Sequence, residues 1–274
     1  MLKRLLVILA IMSAPPVWAD VPSGIAAFQA TDYRKAMAAF TPAAEAGDRN
    51  AQYWMGRIFD AGLGVPENKI TAMGWFEKSA AQGHSEAMRV LGAYFETGRP
   101  AGRDHARAIA WYDRAAKAQN VKAMRNLATM LLNRNRSTDD REKAVALLQK
   151  AAGLGNAKAM RNLGYMHYFQ LRPDFKLAAQ YFAAAAKAGH GRASYDLGRL
   201  YFRGQGVARD YAMGTKHFRT AADQGDAKAQ MMLGRMSLLG EGSSVDAETA
   251  YYWLILAVAQ NNDAARHWLP KARK

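Results

Sequence analysis

Six alanines recur at a nearly constant interval along this chain. Ala51, Ala87, Ala123, Ala159, Ala193 and Ala229 are spaced 36, 36, 36, 34 and 36 residues apart. Four and five residues after each stands a leucine–glycine-like pair: Met55-Gly56, Leu91-Gly92, Leu127-Ala128, Leu163-Gly164, Leu197-Gly198 and Leu233-Gly234. A second apolar run completes every period. It is centred on Trp75, Trp111, Leu147, Tyr181, His217 or Trp253 and closes on segments such as Lys78-Ser79-Ala80-Ala81. A fixed period of this length marks a helical array, in which each helix pair buries its apolar face only by stacking on its neighbours. The expected fold class is all-α, a solenoid of stacked helix-turn-helix repeats.

The glycines follow the same register, with 17 of the 23 falling at three repeat positions: mid-helix, inter-helix loop and second-helix end. A glycine inside a helix lowers helix propensity, so close packing against a neighbouring helix is expected to compensate. Glycines at loops and helix ends, such as Gly204 and Gly225, suit the left-handed conformation that terminates a helix. Gly204-Gln205-Gly206 is therefore read as a loop and not as a phosphate cradle, since it follows a helix and recurs in other periods.

At these residues the chain resembles the Sel-one-like repeat (SLR) family, a relative of tetratricopeptide repeats. Ala193 to Gly225 carries the family pattern most fully, with Leu197-Gly198, Tyr201, Gly204, Gly206-Val207, Asp210 and Ala221-Ala222 in place. The resemblance covers about residues 24–261 and implies a right-handed superhelix with a concave binding face. The expected organisation is a leader over 1–19, a truncated first repeat over 20–50, six repeats over 51–262, and a capping helix with a basic tail over 263–274. Trp268 is expected to cover the last apolar face. Asn133-Arg134-Asn135-Arg136 replaces one glycine loop, and the next repeat has lost two residues around Leu171-Arg172-Pro173.

Residues 1–19 read as an export signal. Lys3 and Arg4 precede an apolar run from Leu5 to Met12, and Val17-Trp18-Ala19 offers small residues at the positions a signal peptidase needs. The run is too short to span a bilayer stably; an uncleaved anchor is the alternative. Cleavage after Ala19 predicts a periplasmic protein without stable membrane insertion. The formal charge is +15, and losing Lys3 and Arg4 leaves 36 basic against 23 acidic residues, or +13. In that compartment nucleic acid is an improbable partner, whereas acidic proteins and acidic polymers are not.

Catalytic signatures are lacking. The chain has no cysteine, no His-Glu-x-x-His, no Gly-x-Ser-x-Gly and no Walker lysine motif. His84 and His190 read as helix-start residues, and His167 and His217 as packed side chains rather than metal ligands. A cysteine-rich branch of the family is linked to penicillin binding or β-lactamase activity, but its cysteine pairs are missing here. The chain is read as non-enzymatic, with no cofactor and no metal.

A helical wheel locates the charge. With the opening alanine as zero, positions 0, +4, +7 and +8 share one sector and form the buried seam, while −1, +2, +6 and +9 fall on the opposite side. Those 24 positions hold 10 basic, 3 acidic and 5 aromatic residues, a net +7. The candidate partner-binding residues are Arg57, Arg89, Arg125, Arg161, Arg199, Arg235, Lys122, Lys158, Tyr53, Tyr165, Tyr168 and Tyr195. Arg89, Arg125 and Arg161 occupy one position in three consecutive repeats, and a stack of this kind could grip a run of carboxylates bidentately. The bland alternative is a merely solvated face.

The functional expectation is a protein–protein interaction scaffold in the periplasm that binds an extended acidic segment of an envelope protein. An envelope polysaccharide or peptidoglycan binder is the alternative, with a β-lactamase-like hydrolase behind it. Arg125→Glu with Arg161→Glu is expected to abolish binding without unfolding the array.

Overall fold

The computed structural model describes residues 20–100, 102–134, 137–170 and 172–273. The leader therefore lies outside the described residues, as do Asn135, Arg136 and Leu171 of the two irregular loops. The chain divides into two compact units, residues 1–120 and 121–274.

The first unit holds three helix pairs: α1 (Val21–Gln29) with α2 (Tyr33–Glu45), α3 (Arg49–Ala61) with α4 (Lys69–Ala81), and α5 (Ser85–Thr97) with α6 (His105–Lys117). The second holds α7 (Val121–Arg134) with α8 (Thr138–Gly153), α9 (Ala157–Tyr168) with α10 (Phe175–Lys187), α11 (Gly191–Arg203) with α12 (Tyr211–Asp223), and α13 (Ala227–Leu239) with α14 (Ala247–Ala259). A short α15 (Asp263–Trp268) and a 3-10 turn (Leu269–Arg273) end it. Within each unit every helix packs on the next. This is the all-α, stacked helix-turn-helix architecture the period implies, and no strand occurs among the described residues. No helix among them is long and apolar enough to cross a membrane.

The mid-helix glycines explain how a pair closes. A Cβ placed on Gly164 would lie 2.5 Å from Cε1 of Phe182, and one on Gly56 would lie 2.6 Å from the same atom of Phe76. The second helix thus lays a ring directly on the first helix's backbone, a contact only glycine permits. Where the first-helix residue is Ala128, the matching side chain is the smaller Leu148, itself fully buried. The residue that seals each pair is therefore the one after the large side chains expected from the sequence. Phe76, Tyr112, Leu148, Phe182, Phe218 and Leu254 are all 0–1% exposed. Trp75 and Trp111 are only half-buried, with Lys78 Nζ and the Arg114 guanidinium 4.5 and 4.4 Å from their ring centres.

Helix ends are set by short polar side chains. Asp104, Asp174, Asp210 and Asp246 cap the second helices of four pairs, each carboxylate accepting an N–H three residues on. Such caps are each worth about 1 kcal/mol. Trp268 and Leu269 pack on the buried cluster of Ala250, Leu254 and Ala257, closing the apolar end of the last pair.

Candidate partner-binding surface

In the second unit, first helices α9, α11 and α13 and the capping α15 line a groove of about 910 Å³. Its walls carry Arg161, Tyr165, Tyr195 and Arg199, all marked out by the sequence, together with Arg192 and Lys228. Asp226 and Asp263 are the acids among its lining residues. Gln224, Gln260, Asn261 and Asn262 complete the wall, although Asn262 is spent on the Ala227 carbonyl and the Ala265 N–H, Asn261 Oδ1 accepts from Arg266, and Gln260 Nε2 donates to Gln230. A smaller hollow of about 340 Å³ brings together Lys122, Arg125 and Lys158, and it shares His190 with the larger groove.

The half-turn between the buried seam and position +2 is less open than a wheel suggests. Tyr53 is only 7% exposed, with its ring stacked 4.5 Å from that of His84 at the start of the next repeat. Arg89, Arg125, Arg161 and Tyr195 are half-buried. An isolated helix has one buried side, but a helix in an array is flanked by the preceding and following first helices. Position +2 points toward one of them.

This geometry dissolves the expected arginine stack. Arg89 Nε donates to Glu86 Oε1 at 2.8 Å, within its own helix. Arg125 donates to Asn126 Oδ1 at 2.6 Å, and its buried Nε–H has no acceptor among the described residues. Arg161 Nε donates to Oδ2 of Asp196 at 2.7 Å, while Tyr165 donates its hydroxyl to Oδ1 at 2.8 Å. Arg235 is likewise neutralised, by Glu241 at 2.7 Å, and lines neither hollow. Asp196 is 3% exposed. Burial pushes its carboxyl above the usual range, against the pull of Arg161 and the Tyr165 hydroxyl. Burial, followed by the Asp196 charge, raises the Tyr165 phenol.

Arg199 is arranged differently. Its guanidinium carbon lies 5.7 Å from the Tyr168 ring centre and 5.8 Å from that of Tyr195, and Nη2 reaches the Tyr168 hydroxyl at 3.4 Å. No carboxylate pairs with it among the described residues. Two aromatic faces thus hold the cation in place without cancelling it. Arg57, at the same repeat position in the first unit, is held similarly by Tyr53 and Trp54, each 5.9 Å away. Lys158 and Lys228 also have no carboxylate partner among the described residues and are exposed. Arg192 is 71% exposed and makes a long 3.7 Å contact with Asp226.

The wheel missed Asp196, His190 and the amide wall. Asp196 stands three residues after its repeat's alanine, where other repeats have Trp54, Val90, Asn126, Asn162 and Met232. A lone carboxylate on a half-buried stripe was the available signal. His84 caps α5 through Nδ1, accepting from the Ala87 N–H at 3.2 Å, whereas His190 begins α11 without a side-chain cap. His167 and His217 stack on Tyr181 and Tyr201, each 5.6 Å between ring centres. No group of metal-ligating side chains occurs among the described residues.

Stacked helix pairs with a polar groove on their first helices define a helical-repeat protein. The Sel1 repeat pattern matches residues 49–84, 85–120, 121–156, 157–190, 191–226 and 227–262, and the chain belongs to the Sel1 repeat family. Proteins of this family typically act as protein-interaction scaffolds and are generally non-catalytic. Among solved structures, the chain is similar to c5321, a protective antigen of uropathogenic Escherichia coli strains with an SLR fold. The TM-score is 0.83 at 26% identity, over 94% of this chain and 56% of that one. The chain thus spans little more than half the length of that relative. A Sel1 repeat protein from Oxalobacter formigenes superposes with a TM-score of 0.78 at 26% identity, over 87% of this chain and 96% of that one. The immunity protein PA5088 from Pseudomonas aeruginosa shares the fold alone, with a TM-score of 0.56 at 22% identity over 79% and 82% of the two chains. No curated protein matches the chain in sequence.

Proposed function

We propose that this chain is an exported, non-catalytic scaffold that holds a partner protein by an extended acidic segment laid along the first-helix face of its second unit. The carrying observation is Arg199, which no carboxylate contacts among the described residues, beside Arg192 and Lys228 in one groove. An extended segment suits it, because successive first helices stand roughly 10 Å apart, about three residues of extended chain. The family's scaffold role supports the same reading. Export to the periplasm rests on the charged, apolar and small-residue order of residues 1–19.

The test is binding of a fluorescein-labelled glutamate-rich peptide to the purified protein, beside a lysine-rich peptide and soluble peptidoglycan fragments. The acidic peptide binds, more weakly as salt rises, and Arg199→Glu with Lys228→Glu removes the binding. Equal affinity after that charge reversal, or a preference for the peptidoglycan fragments, sinks the reading. Export is checked by fusing residues 1–25 to alkaline phosphatase, which is active only outside the cytoplasm.

A further inference from the structure

Phe169 is 70% exposed, with its ring open to solvent at the end of a helix that lines the groove. The irregular repeat puts it there. First helices α3, α5, α11 and α13 end on a left-handed glycine. Helix α9 stops a residue earlier, after Tyr168, and Phe169 itself is the capping residue, at φ −103°.

The exposed ring is firmly seated from below. It stacks on Tyr165 at 5.6 Å and 12°, and Tyr165 in turn meets the buried Phe182 edge-on at 5.3 Å. Phe169 also packs edge-on against Tyr168 at 4.8 Å, and Tyr168 is the ring that holds Arg199 from its other contact at 5.7 Å. One tyrosine therefore links the un-neutralised cation to the exposed apolar ring, leaving them no further apart than about three residues of extended chain.

We infer that the acidic segment is recognised together with an aromatic or large aliphatic side chain about three residues from an acid, the acid on Arg199 and the apolar side chain on Phe169. This inference rests on the acidic-segment reading above and sharpens it. A charge alone, at a half-exposed groove, binds many acidic chains about equally. An apolar anchor beside it distinguishes among them, because it removes two apolar surfaces from water at one place.

Two fluorescein-labelled peptides of equal charge test it, both built of Glu, Ser and Gly. One carries a single Phe three residues from a Glu, and the other has Ser in that place. The wild-type protein binds the Phe peptide about tenfold tighter or better, Phe169→Ser removes that preference, and Arg199→Gln weakens both peptides. Equal affinities on the wild type overturn the anchor whatever the variants do, and so does a preference that survives Phe169→Ser. In either case the acidic-segment reading stands if Arg199→Gln still weakens both peptides. If neither peptide responds to Arg199→Gln, that reading falls and the anchor falls with it.

Discussion

Arg161 and Asp196 are joined across adjacent repeats by a 2.7 Å ion pair, with the aspartate side chain 2% exposed and the arginine 20%. A carboxylate so buried depends on its partner, because removing one half of a buried pair leaves the other desolvated and uncompensated. Arg161 therefore holds α9 to α11 before it can hold anything else.

Arg161→Leu is accordingly expected to destabilise the second unit by about 3 kcal/mol, near the low end for buried pairs because the arginine keeps some exposure, and Arg161→Glu by more, since it sets a second carboxylate against Asp196. This replaces the expectation that reversing Arg125 and Arg161 leaves the array folded. Thermal melts of Arg161→Leu, Asp196→Leu and the double variant check it. The double variant should melt above either single one, and additive losses would show that the pair carries no such dependence.

Two glycine substitutions should have opposite signs. Gly74→Ala lies in α4 with nothing within 4 Å of the added carbon, and should stabilise by roughly 0.5–1 kcal/mol through helix propensity. Gly164→Ala puts that carbon 2.5 Å from the Phe182 ring, and overpacking should outweigh propensity for a net loss of about 1–2 kcal/mol. Adding Phe182→Leu, the pairing seen at Ala128 and Leu148, should recover part of that loss. Urea titrations of the three proteins provide the comparison.

Acidification should weaken the fold through histidines. Burial, then Arg49, holds His84 below its usual pKa of 6.5; burial acts likewise on His190, with Arg161 and Lys158, and on His217, with Lys216. A depressed folded value means the unfolded chain takes the proton first. The contribution is thus complete above about pH 6.5 and is lost as pH falls through the lower folded values. Asp196 has the opposite sign, its raised pKa adding stability as pH falls toward 3.8. Melting temperatures across this range should fall less steeply in His84→Asn, which supplies a cap that does not titrate. An unchanged slope would remove His84 from the account.

Arg199 should separate binding from folding. Arg199→Gln is expected to cut acidic-peptide affinity about tenfold with a much smaller melting loss than Arg161→Leu, since the direct partner of the buried Asp196 is Arg161 and Arg199 acts on it only through a longer-range charge. Calorimetry and a binding isotherm on the same preparation decide this. A melting loss comparable to that of Arg161→Leu would place Arg199 among the structural arginines.

The period and its glycines carried the architecture because most repeats obey the same local rules: a large side chain on a glycine, a short polar cap on a helix start, a left-handed turn where the chain reverses. These rules act over a few residues or one helix pair, so they are written in spacing. Arg57 and Arg199, each at the sixth position after its alanine, were legible for the same reason, with aromatic neighbours one turn away. The separation of Arg161 from Arg199 was not. Both are groove arginines in any helical projection, and their fates diverge on a single aspartate 35 residues from one and three from the other.

By itself, then, the amino-acid sequence determined the helices, their pairing and the family, since these follow from periodic contacts repeated six times. Only the tertiary structure decided which charges are available. That depends on the one-off side chains brought alongside by stacking, where a carboxylate a few ångströms away turns a binding cation into a structural one. The same stacking buried Tyr53, and the shortened α9 left Phe169 exposed near Arg199.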